Sequence, residues 1–131
     1  MISTKGRYAL RVMIDLAQHE KDGYIPLKDI AERQNISKKY LEIIVKELVS
    51  GELIQGVSGK GGGYKLSRKA TRYTAGEIIE LMEGSLAPVA CLKDKDYDCP
   101  RKKNCETLGM WKEYYKMTHN FFYKKKLTEL L

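Results

Sequence analysis

The chain has 131 residues and a formal net charge of +7, which fits one domain with a dimerisation arm. Its hydrophobic content of 43% and charged content of 31% are typical of a globular protein and exclude a chain that is disordered throughout. The apolar runs are far too short for a membrane span, and the N-terminus lacks the apolar core of a signal peptide, so we expect a cytoplasmic protein without membrane attachment.

The N-terminal part of the chain predicts three helices, of which the second and third form a helix-turn-helix. In residues 4–20 apolar residues recur at three- and four-residue spacing and give one buried face: Ala9, Val12, Met13, Leu16 and Ala17. A short helix over residues 27–34 is followed by a tight turn at residues 35–36. Ser37 is a favourable N-cap for a third helix, which ends at the C-cap position Gly51. Its predicted buried stripe is Leu41, Ile44, Val45 and Leu48.

A glycine-rich hairpin follows the third helix. Residues 53–58 and residues 64–66 predict two strands with alternating or short apolar patterns. The connection, residues 59–63, contains four glycines and Lys60, so its backbone is free to approach a partner closely. A hairpin placed directly after a helix-turn-helix is a wing.

The C-terminal half of the chain predicts two further helices with an irregular segment between them. Thr74 and Glu77 form the sequence signature of a capping box, and the helix that they start ends at Gly84. Residues 85–104 show no periodicity. From Cys105 to Lys124 the pattern is helical again, with one apolar stripe: Leu108, Trp111, Tyr115 and Phe122.

The positive charge is concentrated around the third helix and the wing. Residues 37–73 hold eight Lys or Arg and three Glu, a net charge of +5, whereas residues 1–36 and 74–131 each carry +1. The leading end of the third helix is polar, with Ser37, Lys38, Lys39 and Tyr40. Such side chains can contact phosphates and base edges in a DNA major groove. A solvated basic face explains the charge alone, but the basic helix and the wing together predict DNA binding.

The three cysteines, Cys91, Cys99 and Cys105, lie within fifteen residues of one another. An odd number in a cytoplasmic chain argues against a disulfide framework. Cysteine thiolates are the ligands of iron–sulfur clusters, and clustered cysteines in a flexible segment predict such a site. Two alternatives stay open, namely three reduced thiols without a function and a zinc site, although the Cys-x-x-Cys pairs usual in zinc sites are absent from the sequence.

Several long motifs resemble the bacterial winged-helix transcriptional regulators typified by IscR, NsrR and CymR. The resemblance covers nearly the whole chain and lies in residues 3–9, 27–33, 36–42, 59–66 and 74–79. It implies a homodimer whose C-terminal helices pair and whose two heads bind a double-stranded operator. We therefore expect a mainly α fold with a small β-hairpin, in which a winged helix-turn-helix head (residues 1–84) is joined by a cysteine-containing loop (residues 85–104) to a dimerisation helix and tail (residues 105–131).

The resemblance also implies which residues contact DNA. The expected contacts lie at the start of the first helix, in the third helix, which corresponds to the family's recognition helix, and in the wing: Thr4, Lys5, Ser37, Lys38, Lys39, Tyr40, Ile43, Ser58, Gly59, Lys60 and Gly63. IscR-like wings carry an arginine where this chain has Ser58, and we expect Lys60 to take over part of its role.

Within the family, IscR-like and NsrR-like members hold a cluster with three cysteines in this segment, and CymR-like members lack them. The resemblance therefore implies an iron–sulfur cluster, of the two-iron two-sulfur type, held by Cys91, Cys99 and Cys105. The histidine that IscR places three residues after its last cysteine is Leu108 here. Candidates for a fourth ligand are Glu106, Asp98 or an N-terminal residue of the partner subunit near position 8, while His119 lies about four turns from Cys105.

Two other functions are weighed against a cluster-sensing repressor. One is a cluster-free regulator of cysteine metabolism that acts with a partner protein, as CymR does. The other is an enzyme, but the sequence shows neither paired carboxylates nor a nucleophile–base motif. His19 and His119 lie in predicted helices as surface residues, and the glycine run lacks the Gly-Lys-Ser/Thr of a phosphate-binding loop. We therefore expect a DNA-binding protein and not an enzyme.

Overall fold

The computed structural model describes residues 1–94, 97, 99–101 and 103–131, and within them the chain is mainly helical with one β-hairpin. The elements in chain order are α1 (Thr4–Gln18), α2 (Leu27–Gln34), α3 (Lys38–Ser50), β1 (Ile54–Val57), β2 (Gly63–Leu66), α4 (Ala75–Glu83), α5 (Ala90–Lys93) and α6 (Leu108–Lys124). Short 3-10 helices lie at Glu20–Asp22, Ala70–Arg72 and Leu127–Leu130. The predicted winged-helix fold class is confirmed. No helix in the described residues is long and apolar enough to cross a membrane.

The hydrophobic core lies between α1, α3, α4 and the hairpin. Every residue of the predicted apolar face of α1 is buried, and so is the whole predicted stripe of α3. Burial of each large aliphatic side chain contributes about 1.5–3 kcal/mol. The three- and four-residue spacing therefore gave the packing faces of both helices correctly.

One carboxylate lies wholly inside the head, because Asp15 on α1 is 0% exposed. Arg33 on α2 donates two hydrogen bonds to it, from Nε to Oδ2 at 2.9 Å and from Nη2 to Oδ1 at 2.8 Å. Gln34 Nε2 donates a third at 3.1 Å, and Arg11 donates to the backbone carbonyl of Gln34. A buried carboxylate is tolerated only when it is paired and hydrogen-bonded, so these contacts fix α2 against α1.

Helix α3, the predicted recognition helix, follows α2 through a turn in which Asn35 adopts a left-handed conformation, with φ 52° and ψ 50°. The Ser37 hydroxyl accepts the Tyr40 N–H at 3.1 Å, which confirms the predicted N-cap. Gly51 occupies the C-cap as expected, but its φ of −83° is ordinary. A Cβ at Gly51 would lie 2.5 Å from Leu81 Cδ2, so the glycine leaves room for the Leu81 side chain of α4 to pack closely against the end of α3.

The wing hairpin is fastened to the loop between α1 and α2. Strands β1 and β2 pair antiparallel, with Ile54 opposite Leu66 and Val57 opposite Gly63. Ile25 extends this pairing, because its N–H and carbonyl each form a 2.8 Å hydrogen bond with the backbone of Tyr64. The wing is thereby held to the head along the edge of β2 that does not pair with β1.

The chain returns to the head after α6. The predicted capping box of α4 is present, with reciprocal hydrogen bonds between Thr74 and Glu77. Leu127, in the 3-10 helix beyond α6, is 0% exposed and belongs to the main core. Its N–H donates to the Tyr73 carbonyl at 3.0 Å. The segment that follows α6 is therefore anchored in the head through Leu127.

Two expectations for the C-terminal half differ from the structure. Residues 85–104 are not wholly irregular, because α5 forms one turn of helix within them. The last long helix begins at Leu108 and not at Cys105. Its predicted apolar stripe is half-buried, since Tyr115 and Phe122 pack against the smaller cluster of Ala75, Ile79 and Leu86.

The buried Asp15 contact gives a stability prediction. Arg33→Met leaves the Asp15 carboxylate without its cation, and we expect the free energy of unfolding to fall by about 2 kcal/mol. This is less than the loss for a fully buried pair, because the Arg33 side chain is 36% exposed. Urea denaturation followed by circular dichroism measures the effect. Lys28→Met, on an exposed position of the same helix, is the control, and equal midpoints for the two variants would contradict the assignment.

Candidate nucleic-acid interface

The leading end of α3 presents two unobstructed cations. Lys38 and Lys39 are both exposed, and they begin the helix directly after its Ser37 cap. The Ser37 oxygen is occupied as a helix cap, while its hydroxyl proton stays available to a phosphate oxygen. The helix N-terminus adds the positive end of the helix dipole, which also favours an anion at this point.

Tyr40 links the recognition helix to α1. Its ring packs edge-on against the ring of Tyr8, with centroids 5.8 Å apart and planes at 83°. The Arg11 guanidinium lies 5.1 Å from the centroid of the Tyr8 ring. Tyr40 is half-buried by these contacts, so the structure holds the ring in one place on the predicted DNA side of α3.

The outward face of α3 carries more than the predicted residues. Ile43, one of the expected contacts, is 51% exposed, which is unusual for isoleucine and leaves an apolar surface suited to a thymine methyl group. Glu42 and Lys46 are exposed on the same face of the helix as Lys39 and Ile43, and the sequence analysis did not include them. The helical period could have found them, since they occupy the positions left by the buried stripe.

The wing tip consists mainly of exposed backbone. Ser58, Gly59 and Lys60, three of the expected DNA contacts, are exposed. Gly59 and Gly61 have φ values of 90° and 78°, a conformation that glycine adopts without strain. The tip therefore presents exposed backbone and one exposed cation, Lys60.

Gly63 lies at the start of β2, where it is needed for packing against the head. A Cβ at this position would lie 2.2 Å from the Ile25 carbonyl oxygen, where the hairpin meets the loop before α2. Its glycine is explained by this close approach. A contact of Gly63 with DNA stays a prediction.

The first turn of α1 is tied to the recognition helix. Lys5 Nζ lies 3.0 Å from Glu47 Oε1 on α3, and both side chains are partly exposed. Thr4 is exposed one residue earlier. The charge of Lys5, predicted to contact DNA, is therefore partly compensated within the protein.

The three cysteines line one cavity of about 160 Å³. Cys91 lies on α5, while Cys99 and Cys105 lie in the segment before α6, and all three are half-buried free thiols. The other lining residues are Leu92, Tyr97, Leu108 and Lys112. The structure thus brings together the thiols that the sequence predicts as ligands and surrounds them with mostly apolar side chains.

The chemistry of the thiols suits a soft metal or cluster, but they do not stand at ligand spacing. The Thr107 hydroxyl, 3.5 Å from Cys105 Sγ, lowers the pKa of that thiol and so favours the thiolate, the form that binds metals. In the part of the chain that the structure describes, no group of three or more His, Cys or carboxylate side chains is placed to hold a metal ion.

The expected fourth ligand is not identified by the structure. Glu106 is exposed and is not among the described residues that line the cysteine cavity. Asp98 lies outside the described residues. His119 stacks on Tyr123 with ring centroids 4.3 Å apart and lines a separate groove on α6.

One face of α6 is apolar and exposed. Four large side chains at spacings of four, three and four residues are between 53% and 66% exposed: Met110, Tyr114, Met117 and Phe121. All but Met110 line a groove of about 760 Å³ that α6 forms with Met1, Ile2, Glu83 and residues 85–88. This face is adjacent to the stripe predicted from the sequence, which the head itself half-buries.

The chain is similar to a family of transcriptional regulators over its whole length. The model of the Rrf2 family, described as an iron-dependent transcriptional regulator, matches residues 2–131. The HTH-type transcriptional regulator IscR of Xenorhabdus nematophila is 35% identical over 130 residues, which cover 99% of this chain and 78% of that protein.

Solved structures show the same similarity. CymR, the global cysteine regulator of B. subtilis, is 35% identical with a TM-score of 0.79, and the match covers 99% of this chain and 95% of that one. The structure of T. potens IscR is 34% identical with a TM-score of 0.78 and coverages of 99% and 85%. The chain therefore resembles an IscR and a CymR about equally well.

Gly63, at the start of β2, and Gly59, at the wing tip, should differ in how much their substitution lowers the stability of the protein. Gly63→Ala places a Cβ against the Ile25 carbonyl, and we expect it to lower the free energy of unfolding by about 3 kcal/mol or more. Gly59→Ala meets open space and has only its positive φ to accommodate, so we expect a loss of about 1 kcal/mol. Urea denaturation measures both, and equal losses would refute the distinction.

Proposed function

The chain belongs to the Rrf2 family of transcriptional regulators, and on that premise we propose that it is a homodimer that binds operator DNA and represses transcription. The observation that carries the proposal is the exposed basic end of α3, Lys38 and Lys39, followed in the chain by a wing with an exposed glycine-rich tip. Recognition by a helix and a wing needs no catalytic group, and we propose none. Binding to the chromosome would place the protein in the cytoplasm.

The contacts would divide between major groove and backbone. The outward face of α3 would enter the major groove, where Lys39 can donate to guanine and Ile43 can contact a thymine methyl group. Lys38 and the Ser37 hydroxyl would contact phosphates. The wing tip would follow the DNA backbone towards the minor groove, with Lys60 as its cation and Ser58 and Gly59 supplying backbone N–H groups.

We propose that the exposed apolar face of α6 pairs with the same face of a second chain. Four large apolar residues in a row at spacings of four and three residues form the seam expected for two packed helices. Such a patch is rarely left open to water. A two-fold dimer would place two recognition helices on a palindromic operator.

We propose that Cys91, Cys99 and Cys105 hold an iron–sulfur cluster of the two-iron two-sulfur type. The support is that three soft donors with partly apolar surroundings line one cavity, next to the proposed dimer helix. A bound cluster would supply a redox- and iron-responsive group whose presence orders the segment. Because this segment joins the head to α6, its ordering would change the position of α6 relative to the head.

A cluster-free regulator of cysteine metabolism, acting with a partner protein or by thiol redox, is the second candidate. It is favoured by the similarity to the B. subtilis cysteine regulator CymR. In that case the cysteines would be without effect on operator binding unless they were oxidised.

The DNA-binding surface is tested with a duplex selected by the wild-type protein from a random-sequence pool. The variant Lys38→Gln/Lys39→Gln should bind this duplex at least about tenfold more weakly, because each dimer loses two phosphate contacts from Lys38 and two base contacts from Lys39. The slope of log affinity against log salt should become shallower by about 2, because each lost phosphate contact contributes about 0.9. Lys116→Gln on α6 is the control and should leave both quantities unchanged. A double variant that binds like the wild type would refute the recognition surface.

The cluster is tested by isolating the protein without oxygen. We expect visible absorption together with stoichiometric iron and sulfide, and we expect both to disappear in Cys91→Ser/Cys99→Ser/Cys105→Ser. Operator affinity should differ between the loaded protein and this variant. A colourless wild-type protein without iron, with the same affinity as the variant, would exclude the cluster and leave the cysteine-regulator alternative.

A further inference from the structure

The last residue of α4, Glu83, contacts the N-terminal turn of α1. The Ser3 N–H donates to Glu83 Oε1 at 2.9 Å, and the Ser3 hydroxyl donates to the same oxygen at 2.6 Å. The two residues are 80 positions apart in the sequence. A carboxylate at this point also faces the positive end of the α1 dipole, which strengthens the contact.

The contact sets the orientation of the helix cap. The Ser3 oxygen accepts the Gly6 N–H at 3.1 Å and so serves as the N-cap of α1. Because the Ser3 proton is given to Glu83, the lone pairs of the hydroxyl are turned towards the helix. The carboxylate of α4 therefore determines how the first turn of α1 is closed.

Gly6 is required for this arrangement. A Cβ at Gly6 would lie 2.4 Å from Glu83 Oε1, and Gly6 is buried. Its backbone is that of an ordinary helix, so the glycine provides space and not conformational freedom. Glycine is a poor helix former, and Gly6 lies at the position in α1 that the Glu83 carboxylate approaches.

Glu83 contacts the first turn of α1, which carries Thr4 and Lys5. Lys5 in turn forms an ion pair with Glu47 on α3, with 3.0 Å between Nζ and Oε1. On the other side, Ile2 packs against the cluster that contains Leu86, which is 8% exposed and lies three residues after Glu83. The N-terminal segment is thus clamped between the end of α4 and α3.

We propose that Glu83 is a positioning residue for DNA binding, which acts by holding the first turn of α1 on the DNA-facing side of the head. The inference rests on the proposed function. It predicts that removal of the Glu83 carboxylate weakens DNA binding. This is the opposite of the usual effect, because removing a carboxylate from a DNA-binding head ordinarily weakens electrostatic repulsion and tightens binding.

The test compares Glu83→Ala with Glu32→Ala, an exposed carboxylate on α2, for binding to the duplex selected by the wild-type protein. Folded Glu83→Ala should bind about tenfold more weakly, from the loss of two hydrogen bonds to a charged group, while Glu32→Ala should bind equally or more tightly. A purely structural role would lower the midpoint of unfolding and leave the affinity of the folded protein unchanged. Equal or tighter binding by folded Glu83→Ala would overturn the proposal.

Gly6→Ala provides a second variant that leaves every charge in place. It should displace the carboxylate and weaken binding in the same direction, although alanine is the better helix former. If Glu83→Ala does not fold, Glu83→Gln and Gly6→Ala decide the matter, and wild-type affinity in both would overturn the proposal. Failure of the wild-type protein to select any duplex would instead refute the proposed function, and the positioning role with it.

Discussion

The buried Asp15 carboxylate is the interaction on which the position of the recognition helix depends. A charge without access to water must be surrounded by donors, and Arg33 and Gln34 supply them from α2. Because α3 follows α2 through a single tight turn at Asn35, fixing α2 also fixes where α3 begins. The exposed Lys38 and Lys39 are therefore carried on a rigid support and not on a flexible loop.

The other parts of the predicted DNA surface are attached to the same support. The wing is anchored through Ile25, in the loop that α2 follows, and α1 is joined to α3 through Lys5 and Glu47. Glu83 adds the end of α4 to the first turn of α1. The cysteine cavity lies beyond this framework, between α5 and the start of α6.

Much of the head could be predicted from the sequence because its helices are amphipathic and capped by ordinary signals. The faces of α1 and α3, the Ser37 cap and the Thr74–Glu77 capping box all follow from local spacing. The role of Asp15 could not, because an acidic residue next to an apolar face gives no local sign of a partner eighteen residues away. Gly6, Gly51 and Gly63 are likewise explained only by what approaches them from distant elements.

The candidate site likewise contains some features that could be predicted from the sequence and others that could not. The exposed residues of α3 follow from the helical period, whereas the common cavity of Cys91, Cys99 and Cys105 depends on the fold of the segment between α4 and α6. The exposed face of α6 was displaced from the predicted stripe because the head buries Tyr115 and Phe122, leaving Met117 and Phe121 outward. A single apolar pattern cannot tell which of two neighbouring faces packs within the chain and which is left exposed.

Hydrogen–deuterium exchange of the protein with and without its selected DNA duplex tests the account most directly. The account predicts slower exchange on DNA binding in the first turn of α1, in the N-terminal half of α3 and at the wing tip, residues 58–61, with little change in the rest of the head. Protection confined to other surfaces, with unchanged exchange in α3 and the wing, would contradict it.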